Sequence, residues 1–285
     1  MISLRIDGET KVFLLLGQPV SHSLSPLLHN TAFETLGLNC VYLAAPVAPE
    51  TLPEALSGLK ALNIGGGNIT APYKEAVLPY LDHISPTAHL IRSVNTLITR
   101  EGKLWGDSTD GPGFIRALRE AAPEEALKEP LLIVGAGGAA RAVAYSLAEA
   151  GASKLQIVNR SAGRAEELAA LLESGTGLNV VEIAPLEPAA LQRCLERCRV
   201  VIYALPGDSP ELAQALAGLS SLEGHYFFDL RYHPPETALM GLFQQRGGKA
   251  WNGKKMLLWQ AALAFEQFTG LAAPLEAMRR AMGEE

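Results

Sequence analysis

Short apolar runs recur along the chain, each ended by Gly, Pro, Asn or Ser and separated from the next by stretches of helical periodicity. The runs are Val12–Leu16, Val41–Val47, Asn68–Thr70, Asn95–Thr99, Leu131–Gly135, Leu155–Asn159, Val180–Ile183, Val200–Leu205 and Tyr226–Leu230. Strand-length runs alternating with helices predict an α/β protein with layered, mainly parallel sheets. Ala142–Ala150 reads as a helix, and Pro26 suits the first turn of another because that position needs no N–H donor. Met256–Phe268 is apolar around most of its circumference, so it is expected as a well-buried helix packed on the first half of the chain. The loops before residue 110 are polar, whereas the acidic, Pro-bearing segment Ala121–Pro130 leads into a glycine-rich turn, which puts a domain boundary near Asp110–Gly113.

Length and charge narrow the picture. At 285 residues the chain suits two domains of about 150 residues each. A net charge of −6 argues against nucleic acid or an anionic membrane as partner and leaves a small molecule. Residues 1–20 carry Asp7, Glu9 and Lys11 with only a short apolar run, so neither a secretory signal nor a membrane span is expected, and the protein is placed in the cytoplasm. Cys40, Cys194 and Cys198 are odd in number and lack nearby histidines, so neither a disulfide framework nor a metal site is expected.

Two regions carry candidate chemistry. Leu131–Arg141 is a strand running through Gly135-Ala136-Gly137-Gly138-Ala139-Ala140 into a helix. Gly135 permits the tight turn, Gly137 lets a pyrophosphate approach the backbone, and the small Ala140 lets helix pack on strand, the pattern of a dinucleotide site. The next strand ends at Asn159-Arg160-Ser161, with Arg164 one turn on. An acidic residue there would hold a ribose 2′-hydroxyl, whereas two arginines can clamp a 2′-phosphate by charge-assisted hydrogen bonds. The competing account is a solvated basic helix face paired with Glu166 or Glu167.

The other region is the first third. Ser21, His22, Ser23 and Ser25 crowd a loop between a strand and a helix start, a place for a carboxylate or polyol, or for plain capping. Lys74 follows Asn68-Ile69-Thr70 and a Pro turn, Asn95 opens a strand, and Asp110 stands at the boundary. Facing a cofactor, they offer a carbonyl reduction its proton donor, an orienting amide and a carboxylate to hold the ammonium. Singly, each also fits a surface, turn or capping role.

In family order, the Ser23-x-Ser25 loop, Asn68-Ile69-Thr70-x-Pro72-x-Lys74, Val94-Asn95-Thr96, Thr109-Asp110-Gly111 and Gly135-x-Gly137-Gly138-x-x-Arg141 resemble the shikimate dehydrogenase family. So do Asn159-Arg160-Ser161-x-x-Arg164, Asp229-Leu230-x-Tyr232-x-Pro234-x-x-Thr237 and Gly253-x-x-Met256-x-x-x-Gln260-Ala261. The resemblance implies NADPH-dependent reduction of 3-dehydroshikimate to shikimate, on the way to aromatic amino acids. It implies a substrate-binding catalytic domain at residues 1–110, completed by C-terminal helices at 253–285, and a Rossmann-type NADP domain at 111–252. Lys74 is implied as the acid–base residue with Asp110 beside it. Ser23 and Ser25 are implied at the substrate carboxylate, Thr70, Asn95, Asp110 and Gln260 at its hydroxyls, and Tyr232 closing the site. NADP is implied at Gly135, Ala136, Gly137, Gly138, Ala139, Asn159, Arg160, Ser161, Arg164, Leu230, Gly253 and Met256, in a monomer or homodimer without metal.

Two segments depart from that pattern: Tyr203-Ala204-Leu205-Pro206 replaces the usual Asn-Ala-Thr, and Asp107-Ser108 replaces x-Asn before Thr109. Three rivals remain at this level. A quinate or quinate/shikimate dehydrogenase with relaxed substrate or cofactor choice is disfavoured by Ser25 and the paired arginines. A methylene-tetrahydrofolate dehydrogenase has no use for the serine loop, and retention of Lys74 and Asp110 speaks against a non-catalytic dinucleotide sensor.

Overall fold

The computed structural model describes residues 6–178 and 181–283. In chain order the elements begin β1 (Lys11–Gly17), α1 (Ser25–Thr35), β2 (Cys40–Pro46), α2 (Leu52–Ala61), β3 (Gly66–Ile69), β4 (His83–Ile84), α3 (Pro86–Ile91), β5 (Thr96–Arg100) and β6 (Lys103–Asp107). After α4 (Asp110–Ala121) come β7 (Leu131–Val134), α5 (Gly138–Glu149), β8 (Leu155–Asn159), α6 (Ala162–Thr176), β9 (Val181–Pro185) and α7 (Pro188–Arg197). The chain ends with β10 (Val200–Tyr203), α8 (Pro210–Ala217), β11 (Tyr226–Asp229), α9 (Ala238–Gln244), β12 (Lys249–Trp251), α10 (Lys254–Thr269) and α11 (Leu275–Ala281). It divides into one compact unit of residues 1–113 and 257–285 and a second of residues 114–256. Both divisions fall inside helices, α4 and α10.

The first unit's sheet runs β2-β1-β3-β5-β6-β4 and is mixed. β1 is parallel to β2 and β3, but β5 is antiparallel to both β3 and β6. The antiparallel pair departs from simple β/α alternation because Glu101 and Gly102, both at positive φ, make a two-residue hairpin turn between β5 and β6. One core is built on Phe13, Leu28, Phe33 and Tyr42 against Leu258, Ala261, Phe265 and Phe268 of α10. A second, formed by Leu56, Ile69, Val77 and Leu97 among others, fills the opposite face.

The second unit's sheet runs β12-β11-β10-β7-β8-β9 and is parallel throughout. β7 and β10 are wholly buried, as expected of strands covered by helices on both faces. Several element ends differ from expectation. α1 starts at Ser25, Thr70 and Asn95 lie just outside β3 and β5, and Gly135, Leu205 and Leu230 lie beyond their strands. β7, β10 and β11 end in register, at the pairs Val134–Tyr203 and Tyr203–Asp229. Val180, expected at the start of β9, lies outside the described residues. Among the described residues no helix is long and apolar enough to cross a membrane, and no three His, Cys, Asp or Glu side chains cluster as metal ligands.

Candidate active site and dinucleotide cavity

In the first unit the strand directions gather the candidate residues at one sheet edge. The Ser23–Ser25 loop follows β1, Lys74 follows β3, and β6, which runs with β3, delivers Asp110 at the start of α4. β5 runs the other way, so Asn95, just before it, reaches the same edge. Carboxyl ends of parallel strands are where α/β sheets bind ligands. Gly17 lets the loops after β1 and β3 touch, since a Cβ on it would lie 2.2 Å from Thr70 Cγ2.

Lys74 Nζ donates to Asp110 Oδ2 at 2.5 Å, the lysine side chain 20% exposed and the aspartate 5%. The ammonium is thus oriented by a carboxylate yet open on one side. Asn95 Nδ2 donates to Asp110 Oδ1 at 2.9 Å, to Thr109 Oγ1 at 3.0 Å and to Gln260 Oε1 at 3.1 Å. Asn95 Oδ1 accepts from the Thr109 backbone N–H at 2.8 Å and from Thr96 Oγ1 at 2.9 Å. The Asn95 carbonyl is fixed by Asn68 Nδ2 at 2.9 Å, and Asn68 Oδ1 accepts from the buried Tyr42 hydroxyl at 2.8 Å. The Val94 N–H donates to the Lys74 carbonyl at 2.9 Å, locking the lysine's backbone to the segment that carries Asn95 into β5.

Lys74, Asn95, Asp110 and Gln260 therefore form one connected network. Gln260 enters it with its carbonyl oxygen, while its Nε2 donates to the Leu257 carbonyl. Ser23 Oγ accepts from the Ser25 N–H at 3.2 Å, so this hydroxyl already engages the first N–H of α1. Tyr42, Asn68, Thr96 and Thr109, none of them singled out by the sequence, hold the network from behind. Asn68, Thr96 and Thr109 lie inside sequence motifs, and only their burial reveals the task.

In the second unit a cavity of about 800 Å³ is lined by Ala136, Gly137, Asn159, Arg160, Ser161 and Arg164 together with residues 204–211. Gly135, at φ +122, makes the turn that enters it. Gly137 stands before α5 with open space where a Cβ would be, and no side chain caps that helix, so its first N–H groups are left for an anion. Gly138 and Ala139 form the first turn of α5. Asn159 Nδ2 donates to the Ser161 carbonyl at 2.9 Å, shaping the turn that presents Arg160 and Arg164, both exposed. Glu167 pairs instead with Arg141, at 3.4 Å. The Glu211 carboxyl titrates below its ordinary range because its own backbone N–H and Ser209 donate to it, with a smaller contribution from Arg160. An uncapped glycine turn, open space and two exposed guanidinium groups suit a phosphorylated dinucleotide.

Leu230, Gly253 and Met256 line a separate apolar crevice with Phe114, Phe228 and Trp251. A Cβ on Gly253 would meet the Leu230 carbonyl oxygen at 2.1 Å, so only glycine fits there. Tyr232 is half-buried and belongs to this second unit, not to the one that carries Lys74.

Three family models match consecutive parts of the chain. They are described as shikimate dehydrogenase substrate binding domain (residues 15–97), shikimate / quinate 5-dehydrogenase (118–230) and shikimate 5′-dehydrogenase C-terminal domain (253–282). The chain is 41% identical over 284 residues to the shikimate dehydrogenase (NADP(+)) of Desulforamulus reducens, covering 99% of this chain and 97% of the relative. It is 43% identical over 289 residues to that of Methanopyrus kandleri, covering 99% and 98%. A crystal structure of shikimate 5-dehydrogenase from Thermus thermophilus, in complex with NADP(H) and shikimate, superimposes with a TM-score of 0.81 at 37% identity, covering 95% of this chain and 98% of that one.

Proposed function

The chain belongs to the shikimate dehydrogenase family, and from that premise we propose how its residues divide the work of reducing 3-dehydroshikimate to shikimate with NADPH. The enzyme is an NADP-dependent oxidoreductase of aromatic amino acid biosynthesis. NADPH, when bound, supplies the hydride. Everything else falls to side chains.

As hydride reaches the carbonyl carbon, negative charge grows on its oxygen, and the Lys74 ammonium stabilises that charge and passes a proton to it. The lysine then regains its proton from solvent; in the reverse direction it accepts the hydroxyl proton. Asp110 keeps Nζ aimed by the 2.5 Å bond and offers its other oxygen, through Asn95, to the same network. Asn95, Thr70 and Gln260 orient the ring hydroxyls, and Ser23 and Ser25 bind the carboxylate at the start of α1, where backbone N–H groups favour an anion. Tyr232 is a further substrate-binding residue. Arg160 and Arg164 take the 2′-phosphate, Gly135–Ala139 the pyrophosphate, and the crevice at Leu230, Gly253 and Met256 borders the nicotinamide. The catalytic domain comprises residues 1–110 and 253–285, the NADP domain 111–252, and the enzyme works in the cytoplasm as a monomer or homodimer.

The Lys74–Asp110–Asn95 network carries this reading, because it presents a charged donor with a fixed direction and an exposed side. The test is an initial-rate panel of shikimate and quinate with NADP and NAD, for the wild type and for Arg160→Ala/Arg164→Ala. Shikimate with NADP should be preferred, and the double variant should lose that cofactor preference, each charged hydrogen bond contributing about 1.5–3 kcal/mol. Equal use of NAD by the wild type refutes the phosphate clamp, and equal use of quinate refutes the role given to the serine loop.

A further inference from the structure

The segment Tyr203–Pro206, where the chain departs from its family's pattern, is tied to a charged cluster that the catalytic reading leaves without a task. Arg231, two residues past β11, is largely withdrawn from solvent, with its side chain 16% exposed. Its Nε donates to Asp229 Oδ1 at 2.9 Å and its Nη2 to Asp229 Oδ2 at 2.7 Å, a bidentate pair on a carboxylate with no exposure at all. Thr237 Oγ1 donates to the same Oδ2 at 3.0 Å. The guanidinium lies 5.0 Å from the centroid of the Tyr203 ring.

With Nε, Nη2 and the ring face fixed, the direction of Nη1 is fixed as well, and it donates to Asp208 Oδ1 at 2.9 Å. The Tyr203 hydroxyl donates to the Gly207 carbonyl at 2.6 Å. Two adjacent residues of one turn, Gly207 and Asp208, are thus bound to the end of β10 and to the chain after β11. Gly207 and Asp208 line the same 800 Å³ cavity as Arg160 and Arg164. A Cβ at Gly207 would have no neighbour within 4 Å, so the tip of this turn is held by polar tethers, not by packing.

We propose that Arg231 and Tyr203 are positioning residues for the dinucleotide: through Asp208 and Gly207 they hold the 204–209 turn as a preformed wall of its cavity. This rests on the reading of that cavity as the NADP site and deepens it. The sign of one substitution separates positioning from plain electrostatics. Asp208 is a carboxylate beside a site for an anion, so by charge alone its removal tightens dinucleotide binding. If it is the anchor of the wall, its removal weakens binding.

The experiment measures NADP and NAD dissociation constants, KM, kcat and melting temperature for the wild type, Asp208→Ala, Asp208→Asn, Tyr203→Phe and the double variant Asp208→Ala/Tyr203→Phe. All of these keep the Arg231–Asp229 pair, so no buried carboxylate is orphaned. Asp208→Ala and Tyr203→Phe should each weaken both dinucleotides about threefold to tenfold, the range for one hydrogen bond, with kcat held and the double variant weaker still. Asp208→Asn, whose amide oxygen can still accept from Nη1, should restore binding. Unchanged or tighter binding in Asp208→Ala and Tyr203→Phe, or a loss confined to NADP, overturns the proposal. A wild type that binds neither dinucleotide overturns instead the reading of the cavity itself.

Discussion

Gly113 is the point at which a single methyl group should disarm the catalytic network. It lies in the first turn of α4, three residues after Asp110, and an ideal Cβ there falls 2.7 Å from the Gln260 backbone nitrogen and 3.0 Å from its Cα. Ordinary contact begins at 3.4 Å, and 3.4 less 2.7 leaves about 0.7 Å that α4 and α10 must part, because backbone cannot step aside as a flexible side chain can. That displacement separates Asp110 from Gln260, which Asn95 Nδ2 bridges at 2.9 and 3.1 Å. The two bonds are then lengthened and weakened, and Asp110 is displaced from the position in which it aims Lys74. Gly113→Ala should cost about 1–3 kcal/mol of stability through overpacking. Its kcat/KM for shikimate should fall about tenfold to a hundredfold, since displacements near 1 Å are felt on that scale. Initial rates of NADPH appearance at saturating NADP measure the second effect, and urea unfolding the first. A folded variant with kcat/KM within about twofold of the wild type would show that α4 and α10 do not set the geometry of the site.

Further outcomes follow from individual side chains. Lys74→Ala should lower kcat at least about a hundredfold with a smaller effect on KM, as loss of a general acid does, and near-normal turnover in steady-state assays would remove Lys74 from the chemistry. Ser25→Ala should raise KM for shikimate by the equivalent of about 0.5–3 kcal/mol while leaving KM for NADP unchanged; a purely structural role predicts a loss of melting temperature instead. His29, fully buried and stacked on Tyr42 at 4.4 Å, has its pKa lowered to about 3 by burial, with Asn68 opposing weakly. Its folded pKa lies below the unfolded value of 6.5, so the folded state binds the proton less readily. This stability is complete above pH 6.5 and is lost as pH falls towards 3, by about 1.4 kcal/mol per pH unit. His29→Phe, which keeps a ring against Tyr42, should therefore lose about 2 kcal/mol less than the wild type between pH 7.5 and pH 5 in urea titrations, whereas parallel pH profiles would rule His29 out as the titrating group.

The parts legible in the chain itself are those whose determinants lie within a few residues of one another. Leu131–Val134 followed by Gly135-Ala136-Gly137 announces a strand, a tight turn and an open helix start, because apolar run, positive φ and absent Cβ are all local properties. The α/β class, the burial of α10 and the candidacy of Lys74, Asn95 and Asp110 come from the same local grammar. The two- and three-residue strands β4 and β12 are too short to show a period, and β6, of five residues, ends at Asp107, just before the Thr109-Asp110-Gly111 motif.

The network behind Lys74 and the tethers of the 204–209 turn were decided elsewhere. Asn68 meets Tyr42, Asn95 meets Gln260, and Arg231 meets Asp208 across long stretches of chain. Each meeting depends on which strands are neighbours and in which direction they run. β5 had to turn back against β3 for Asn95 to arrive beside Lys74, and β10 and β11 had to lie side by side for Tyr203 to sit beneath Arg231. A strand's own residues specify which face it buries, but not which strand will pair with it. That choice is made by the packing of the whole sheet, and the contacts that orient the reacting groups exist only after it.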